Sequence, residues 1–145
     1  MIGFVLITQY SFGQNLAAAK SNNVIDIYKQ WTAAEVRADL QKNRTDLVTI
    51  TLNLTHDFNK SAAIRSNNAF LGKEVYIVGR RKYDPRGAVG CKKYERVFHA
   101  DTLQEVVDKL HAEGYTIYAV DNQMEYSPVN LWDEDFPRKS AFVFG

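Results

Sequence analysis

The stretch Leu52-Asn-Leu-Thr-His-Asp-Phe-Asn-Lys-Ser-Ala-Ala-Ile-Arg-Ser-Asn-Asn-Ala-Phe-Leu-Gly72 decides the fold of this chain. It completes a β-branched run over residues 47–54, Leu-Val-Thr-Ile-Thr-Leu-Asn-Leu, which has the pattern of a buried strand. A polar turn follows at Asp57. Apolar side chains then resume at helical spacing from about Lys60 to Leu71, and Gly72 is expected to close the helix as its C′ residue. The whole reads as strand, loop and helix. Its polar residues Asn53, His56, Asp57, Asn59 and Arg65 fall where an open α/β sheet usually builds its sites, at the carboxyl ends of its strands.

The same alternation continues downstream. Residues 75–78 form a second apolar run, residues 95–99 a short third, and residues 115–120 and 140–144 two more. Between them Asp101 or Thr102 caps a helix whose apolar stripe is Leu103, Val106, Val107 and Leu110, and Gly114 ends it. Upstream, Val24, Ile27, Tyr28 and Trp31, then Ala34, Val36 and Leu40, give a helix broken near Thr32. Thr32 is a good N-cap with Glu35 three residues on. Residues 1–22 show no periodicity beyond a short β-type run at 4–8 and read as a tail. The expectation is an α/β fold, a mostly parallel sheet with helices on both faces. Residues 1–44 form an N-terminal extension with helices, and residues 45–145 form the main domain.

Composition bounds the function. The 145 residues are 46% hydrophobic and 24% charged, enough for one domain with a real core. The net charge of +1 is unevenly spread: residues 79–96 hold seven basic side chains against two acidic ones, and residues 121–139 hold five acidic against Arg138 and Lys139. A near-neutral chain can therefore present a basic face to a polyanion. The single cysteine, Cys91, excludes an intramolecular disulfide and a multi-cysteine zinc site, and it fits a reducing compartment. Lys92 and Lys93 beside it could lower its pKa, yet a lone loop cysteine is a poor nucleophile candidate. His56, His99 and His111 lack metal-ligand spacing, so no metal is expected. The apolar start, residues 1–7, is too short to span a bilayer and lacks the basic flank of a secretory signal, so the expected location is cytoplasmic.

Asn59 and Arg65 are six residues apart. With a helix starting near Lys60, Asn59 is its cap and Arg65 lies about a turn and a half inside. Spacing alone leaves two readings open, a helix cap plus a solvated arginine, or a site. The residues 59–72, Asn-Lys-Ser-Ala-Ala-Ile-Arg-Ser-Asn-Asn-Ala-Phe-Leu-Gly, followed by the strand Val-Tyr-Ile-Val and a basic glycine loop, resemble motif 1 of the SpoU-type (TrmH-like) RNA 2′-O-ribose methyltransferases of the SPOUT superfamily. The resemblance runs through residues 114–122 and reaches residues 141–145, which resemble the opening of motif 2. It covers about two thirds of the chain.

The resemblance implies transfer of a methyl group from S-adenosylmethionine to a ribose 2′-hydroxyl of tRNA or rRNA, on an α/β domain with a knotted carboxyl-terminal part. It gives Arg65 the role of activating or orienting the hydroxyl and Asn59 a supporting one. Arg80, Arg81, Lys82, Arg86, Lys92 and Lys93 become candidate RNA-phosphate contacts, with Tyr83 and Tyr94 available for base stacking; a solvated surface loop is the plain alternative. The segment Gly87-Ala-Val-Gly90 also matches a KH-type backbone clamp, though the order of strands and helices speaks against that module. For the cofactor the resemblance points to Asp121, Asn122 and Gly145. The glutamate and the Ser-Leu-Asn motif expected after Gly145 lie beyond the sequence, so the cofactor pocket is expected to be incomplete and cofactor binding by these residues weak. The family's homodimer is expected only at full length. The alternative class is a non-catalytic RNA-binding or interaction module that keeps the basic loop.

Overall fold

The computed structural model describes residues 24–52, 56–121 and 128–145. Strand β1 (Val48–Thr51) is the centre of a five-stranded sheet, with β2 (Glu74–Val78) and then β3 (Val97–Ala100) on one side. On the other side lies β5 (Ser140–Phe144), and beyond it β4 (Thr116–Val120). Every pairing is parallel, as the alternation of strands and helices predicts. The chain steps outward from β1 to β3, returns to the opposite edge for β4, and then inserts β5 between β4 and β1. The reversal sets the carboxyl ends of β1, β4 and β5 side by side, the crevice in which open α/β sheets bind ligands.

Both faces carry helices, and the two-residue period of β1 assigns its side chains to them. Val48 and Ile50 join Tyr76, Val78, Ala141 and Val143 under Val106 and Leu110 of helix α3 (Leu103–Ala112). Val75 and Ile77 take the other face with Ile64 of helix α2 (Asp57–Ala69) and Ala88. Thr49 and Thr51 lie on that second face too and are buried. Thr102 caps α3 through its hydroxyl, which accepts from the Glu105 amide. Helix α1 (Ala33–Lys42) opens on a complete capping box between Thr32 and Glu35 and docks Val36 and Leu40 on Tyr94.

Both expected ends of α2 are corrected. The helix begins at Asp57, with His56 in the N-cap position and no side-chain cap bond. Asn59 is therefore the third residue of the first turn and not the cap. Asp57 favours that earlier start, since a carboxylate in the first turn is stabilised by the helix dipole. At the other end Leu71, not Gly72, takes the left-handed C′ conformation, with φ 54°. The Leu71 amide donates to the Asn68 carbonyl and the Gly72 amide to that of Asn67, the paired bonds of a Schellman ending. Gly72 is glycine for a different reason: a Cβ there would land on the side-chain amide of Asn67. The third strand likewise starts at Val97, because Glu95 is drawn inward.

Glu95 is the hub of a buried polar cluster. Its carboxylate pairs with Arg44 at 2.9 Å, the side chains being 0% and 2% exposed. It also accepts from Asn67 Nδ2 at 3.0 Å and Asn68 Nδ2 at 2.7 Å. Arg44 donates further to the carbonyls of Gly72 and Tyr94, and Thr49 Oγ1 donates to Asn67 Oδ1 at 2.9 Å. One ion pair thus ties the entry to β1, the end of α2 and the entry to β3. Removing one partner of a buried pair leaves a charge without its counterion, at a cost of about 3–5 kcal/mol. Arg44→Ala is expected to lower the unfolding free energy by about that amount in a urea titration. A loss under about 1 kcal/mol would instead be the mark of a solvated surface pair.

Candidate active site at the carboxyl edge of the sheet

The expected site residues divide between two sides of α2. Asn59 is exposed and lines a groove of about 630 Å³. The helix side of the groove is Asn59, Ala62, Ala63, Ser66 and Phe70; its sheet side is Thr49, Thr51, Phe142, Phe144 and Val120, with Leu131 at one wall. The volume falls in the range of small-molecule sites, and the lining is apolar apart from a few hydroxyl and amide groups. Arg65 is exposed but does not line this groove. Six residues at about 100° each leave it roughly 120° around the helix from Asn59. Its charge acts on the Cys91 thiol instead, so it belongs with the turn that carries Lys92 and Lys93.

Two of the residues expected at a cofactor come together. Val120 and Phe144 are register partners at the ends of β4 and β5, so Asp121 and Gly145, the residues that follow them, leave the carboxyl edge from neighbouring positions. The backbone at Gly145 passes so close to Leu52 that a Cβ there would meet the leucine side chain at 2.9 Å. Asn122 and Asn53 lie outside the described residues. Among the described residues this corner offers the Asp121 carboxylate and backbone groups, and the groove beside it has the volume of a small-molecule site.

The six basic side chains of the loop, Arg80, Arg81, Lys82, Arg86, Lys92 and Lys93, are all exposed. Several have partners. Arg80 pairs with Asp57 at 3.6 Å, Arg81 with Asp101 at 3.7 Å and Arg86 with Asp84 at 2.6 Å. Lys92 stands over the Tyr83 ring and Lys93 over the Tyr94 ring. Exposed pairs of this kind are worth little and leave the cations able to exchange partners.

One expectation for the loop is corrected, and the clamp and reactive-cysteine readings, which the sequence already speaks against, fall away. Tyr94 is buried in the contact with α1, and Tyr83 packs against Ile64, Val75 and Ile77, so neither ring is presented for base stacking. Gly87 is buried, with Ser61 Cβ and the Phe58 carbonyl where its own Cβ would be, so the Gly87–Gly90 segment offers no open backbone clamp. Cys91 is buried as well, and burial pushes its thiol up rather than down, against the pull of Arg65 and Lys93.

Two residues at this edge escape sequence reading. Lys60 looks like one more polar position on a helix, yet its side chain is fully buried under the basic loop. A lysine in the first turn, where the helix dipole disfavours a cation, was the one available signal. His99, exposed on edge strand β3, lies within the field of the loop. Partial burial of its ring, though the residue as a whole is exposed, holds its pKa below the ordinary 6.5, and the charges of Arg81, Lys92 and Lys60 lower it further. Protonation is thus disfavoured in the fold. Below pH 6.5 the unfolded chain binds the extra proton, and His99 withdraws stability as pH falls; above 6.5 its contribution vanishes. NMR titration of His99 is expected to give a midpoint below 6.5, and Arg81→Gln to raise it only part of the way, since burial is the larger cause. A midpoint at or above 6.5 would mean that the cations do not converge there.

Among the described residues no group of three or more His, Cys, Asp or Glu side chains is placed to hold a metal ion, and no helix is long and apolar enough to cross a membrane. Comparison with known proteins places the fold. A tRNA modifying enzyme of the TrmH/SpoU type from A. aeolicus superposes with a TM-score of 0.64 at 21% identity, over 77% of this chain and 57% of that one. The SpoU methyltransferase AviRb from Streptomyces viridochromogenes, solved in complex with its cofactor AdoMet, gives 0.59 at 21% identity, over 72% and 43%. An RNA 2′-O ribose methyltransferase gives 0.56 at 21% identity, over 66% and 37%. The chain therefore spans little more than half the length of the first of these structures and less of the others. No curated protein matches its sequence. The sequence model of the SpoU rRNA Methylase family matches residues 46–145, and the chain belongs to that family.

Proposed function

We propose that this protein acts in RNA 2′-O-ribose methylation with S-adenosylmethionine as donor, its basic loop and Arg65 facing the RNA and the groove beside Asn59 facing the donor. The observation that carries the reading is the family match over residues 46–145, which takes in Asn59, Arg65, the basic loop, Asp121 and Gly145. Supporting it, Asn59 after β1, Arg80, Arg81 and Lys82 after β2, Asp121 after β4 and Gly145 after β5 all follow the carboxyl ends of strands in one parallel sheet.

The chemistry constrains the roles. A ribose hydroxyl is a weak nucleophile near neutral pH, so it must be held in line with an electrophilic methyl group and its charge eased as the proton leaves. S-adenosylmethionine, when bound, supplies that methyl group. Asp121 and Gly145, with the groove beside them, are the residues that would hold it. An arginine side chain is no base, so the part of Arg65 is electrostatic, stabilising the hydroxyl oxygen or fixing a neighbouring phosphate. Its position on the loop side of α2 suits that part. Asn59, at the groove, supports the site from the donor side. Arg80, Arg81, Lys82, Arg86, Lys92 and Lys93 grip the RNA backbone.

In a protein that joins these residues to the rest of the family's domain, Arg65→Ala is expected to abolish methyl transfer, read as alkali-resistant linkages in RNA, with S-adenosylmethionine affinity nearly unchanged in calorimetry. Retained turnover would remove Arg65 from the chemistry. For residues 1–145, RNA affinity is expected to fall steeply with salt, the logarithmic slope counting about 0.7–0.9 per phosphate neutralised. A flat response would make the basic loop an ordinary solvated surface. Salt-dependent RNA binding without methyl transfer in that joined protein would leave a non-catalytic RNA-binding module.

A further inference from the structure

The first two turns of α2 hold the backbone of the basic loop from beneath. Lys60 is 1% exposed, and its ammonium group donates to the carbonyl of Arg80 at 3.0 Å and the carbonyl of Lys82 at 3.4 Å and forms an ion pair with the Asp57 carboxylate at 3.7 Å. The other oxygen of Asp57 pairs with Arg80. One residue along the helix, Ser61 is wholly buried and its hydroxyl donates to the Asp84 carbonyl. Gly87 then closes on Ser61 and Phe58 so tightly that no side chain fits there.

Stability alone does not favour a lysine at this place. The position is buried, it lies in the first turn of a helix where the dipole disfavours a cation, and Arg80, Arg81 and Lys82 stand nearby. An apolar side chain would fill the same volume without burying a charge. What the ammonium does that an apolar group cannot is turn the carbonyls of residues 80 and 82 inward. The exposed guanidinium groups of Arg80 and Arg81 are then presented outward, their side chains 62% and 69% exposed.

We propose that Lys60 is the positioning residue of the RNA-binding loop, a buried cation that touches no phosphate and sets the direction in which Arg80, Arg81 and Lys82 face the RNA backbone. Ser61 is the second tether of the same device. The inference rests on the RNA-binding reading of the loop and deepens it, since it makes phosphate recognition depend on a residue beneath the surface.

The test is the salt dependence of binding to a fluorescein-labelled single-stranded RNA dodecamer, read by anisotropy with residues 1–145, at a temperature where circular dichroism shows each variant folded. Arg81→Gln, the direct-contact control, is expected to lower the logarithmic slope by about one phosphate contact. Lys60→Met keeps the length and volume of the side chain and loses the ammonium. It is expected to lower the slope by about two contacts and affinity by roughly tenfold at 0.1 M salt, although Lys60 itself reaches no phosphate. Ser61→Ala is expected to act in the same direction, more weakly.

A Lys60→Met protein that is folded and keeps the wild-type slope overturns the proposal, because a lysine with a merely structural role changes stability and not the count of phosphate contacts. Should Lys60→Met fail to fold, Ser61→Ala decides alone: a lowered slope supports the tether and a wild-type slope overturns it. A flat response in the wild type overturns the RNA-binding reading and this inference with it. That outcome is distinct, since it appears before any variant is made.

Discussion

A carboxylate that cannot leave the interior governs this structure. Glu95 is wholly buried, and a buried carboxylate must be matched by donors or it costs more than the fold can absorb. Arg44, Asn67 and Asn68 provide the match, and each comes from a different part of the chain. Because they must converge on one point, the segment before β1, the last turn of α2 and the turn before β3 are locked into one arrangement. Gly72 follows from the same demand, as the residue that leaves room for the Asn67 amide. The left-handed Leu71 lies in the same turn, where the helix must stop so that the Gly72 carbonyl meets Arg44.

The opposite edge is built by a similar division of labour at the other end of α2. There the helix holds a loop rather than a strand, through Lys60 and Ser61, and the loop contributes charge rather than packing. Its exposed cations rest in shallow pairs with Asp57, Asp84 and Asp101, which screened water already weakens. A polyanion competes well against partners of this kind. The groove on the far side of the same helix is of different character, apolar and lined by Phe70, Phe142 and Phe144. One helix therefore separates a charged surface from an apolar one, and Arg65 and Asn59 mark its two sides.

That separation limits what spacing can tell. The residues Asn59 and Arg65 were legible as a pair because the motif is read along the chain, but a helix turns about 100° per residue, and six residues bring two side chains to different faces. The cap assigned to Asn59 failed for a local reason, since Asp57 starts the helix earlier. The tyrosines of the loop looked available because they sit among charges; Tyr94 is taken by Val36 and Leu40 of a helix some fifty residues away in sequence, a contact that no local pattern announces. Lys60 escapes a local reading because charge is normally a sign of exposure.

The sequence by itself determined the elements, their alternation and so the parallel sheet, because periodicity of two or 3.6 residues is a property of neighbours along the chain. It also determined which residues carry charge and the motif through which the family resemblance is visible. Only the tertiary structure decided the insertion of β5 between β1 and β4, the burial of Glu95 and Lys60, and the division of Asn59 from Arg65. Those are settled by which distant donors reach a buried group and by which face of a helix meets the sheet, and such contacts exist only after the chain has folded.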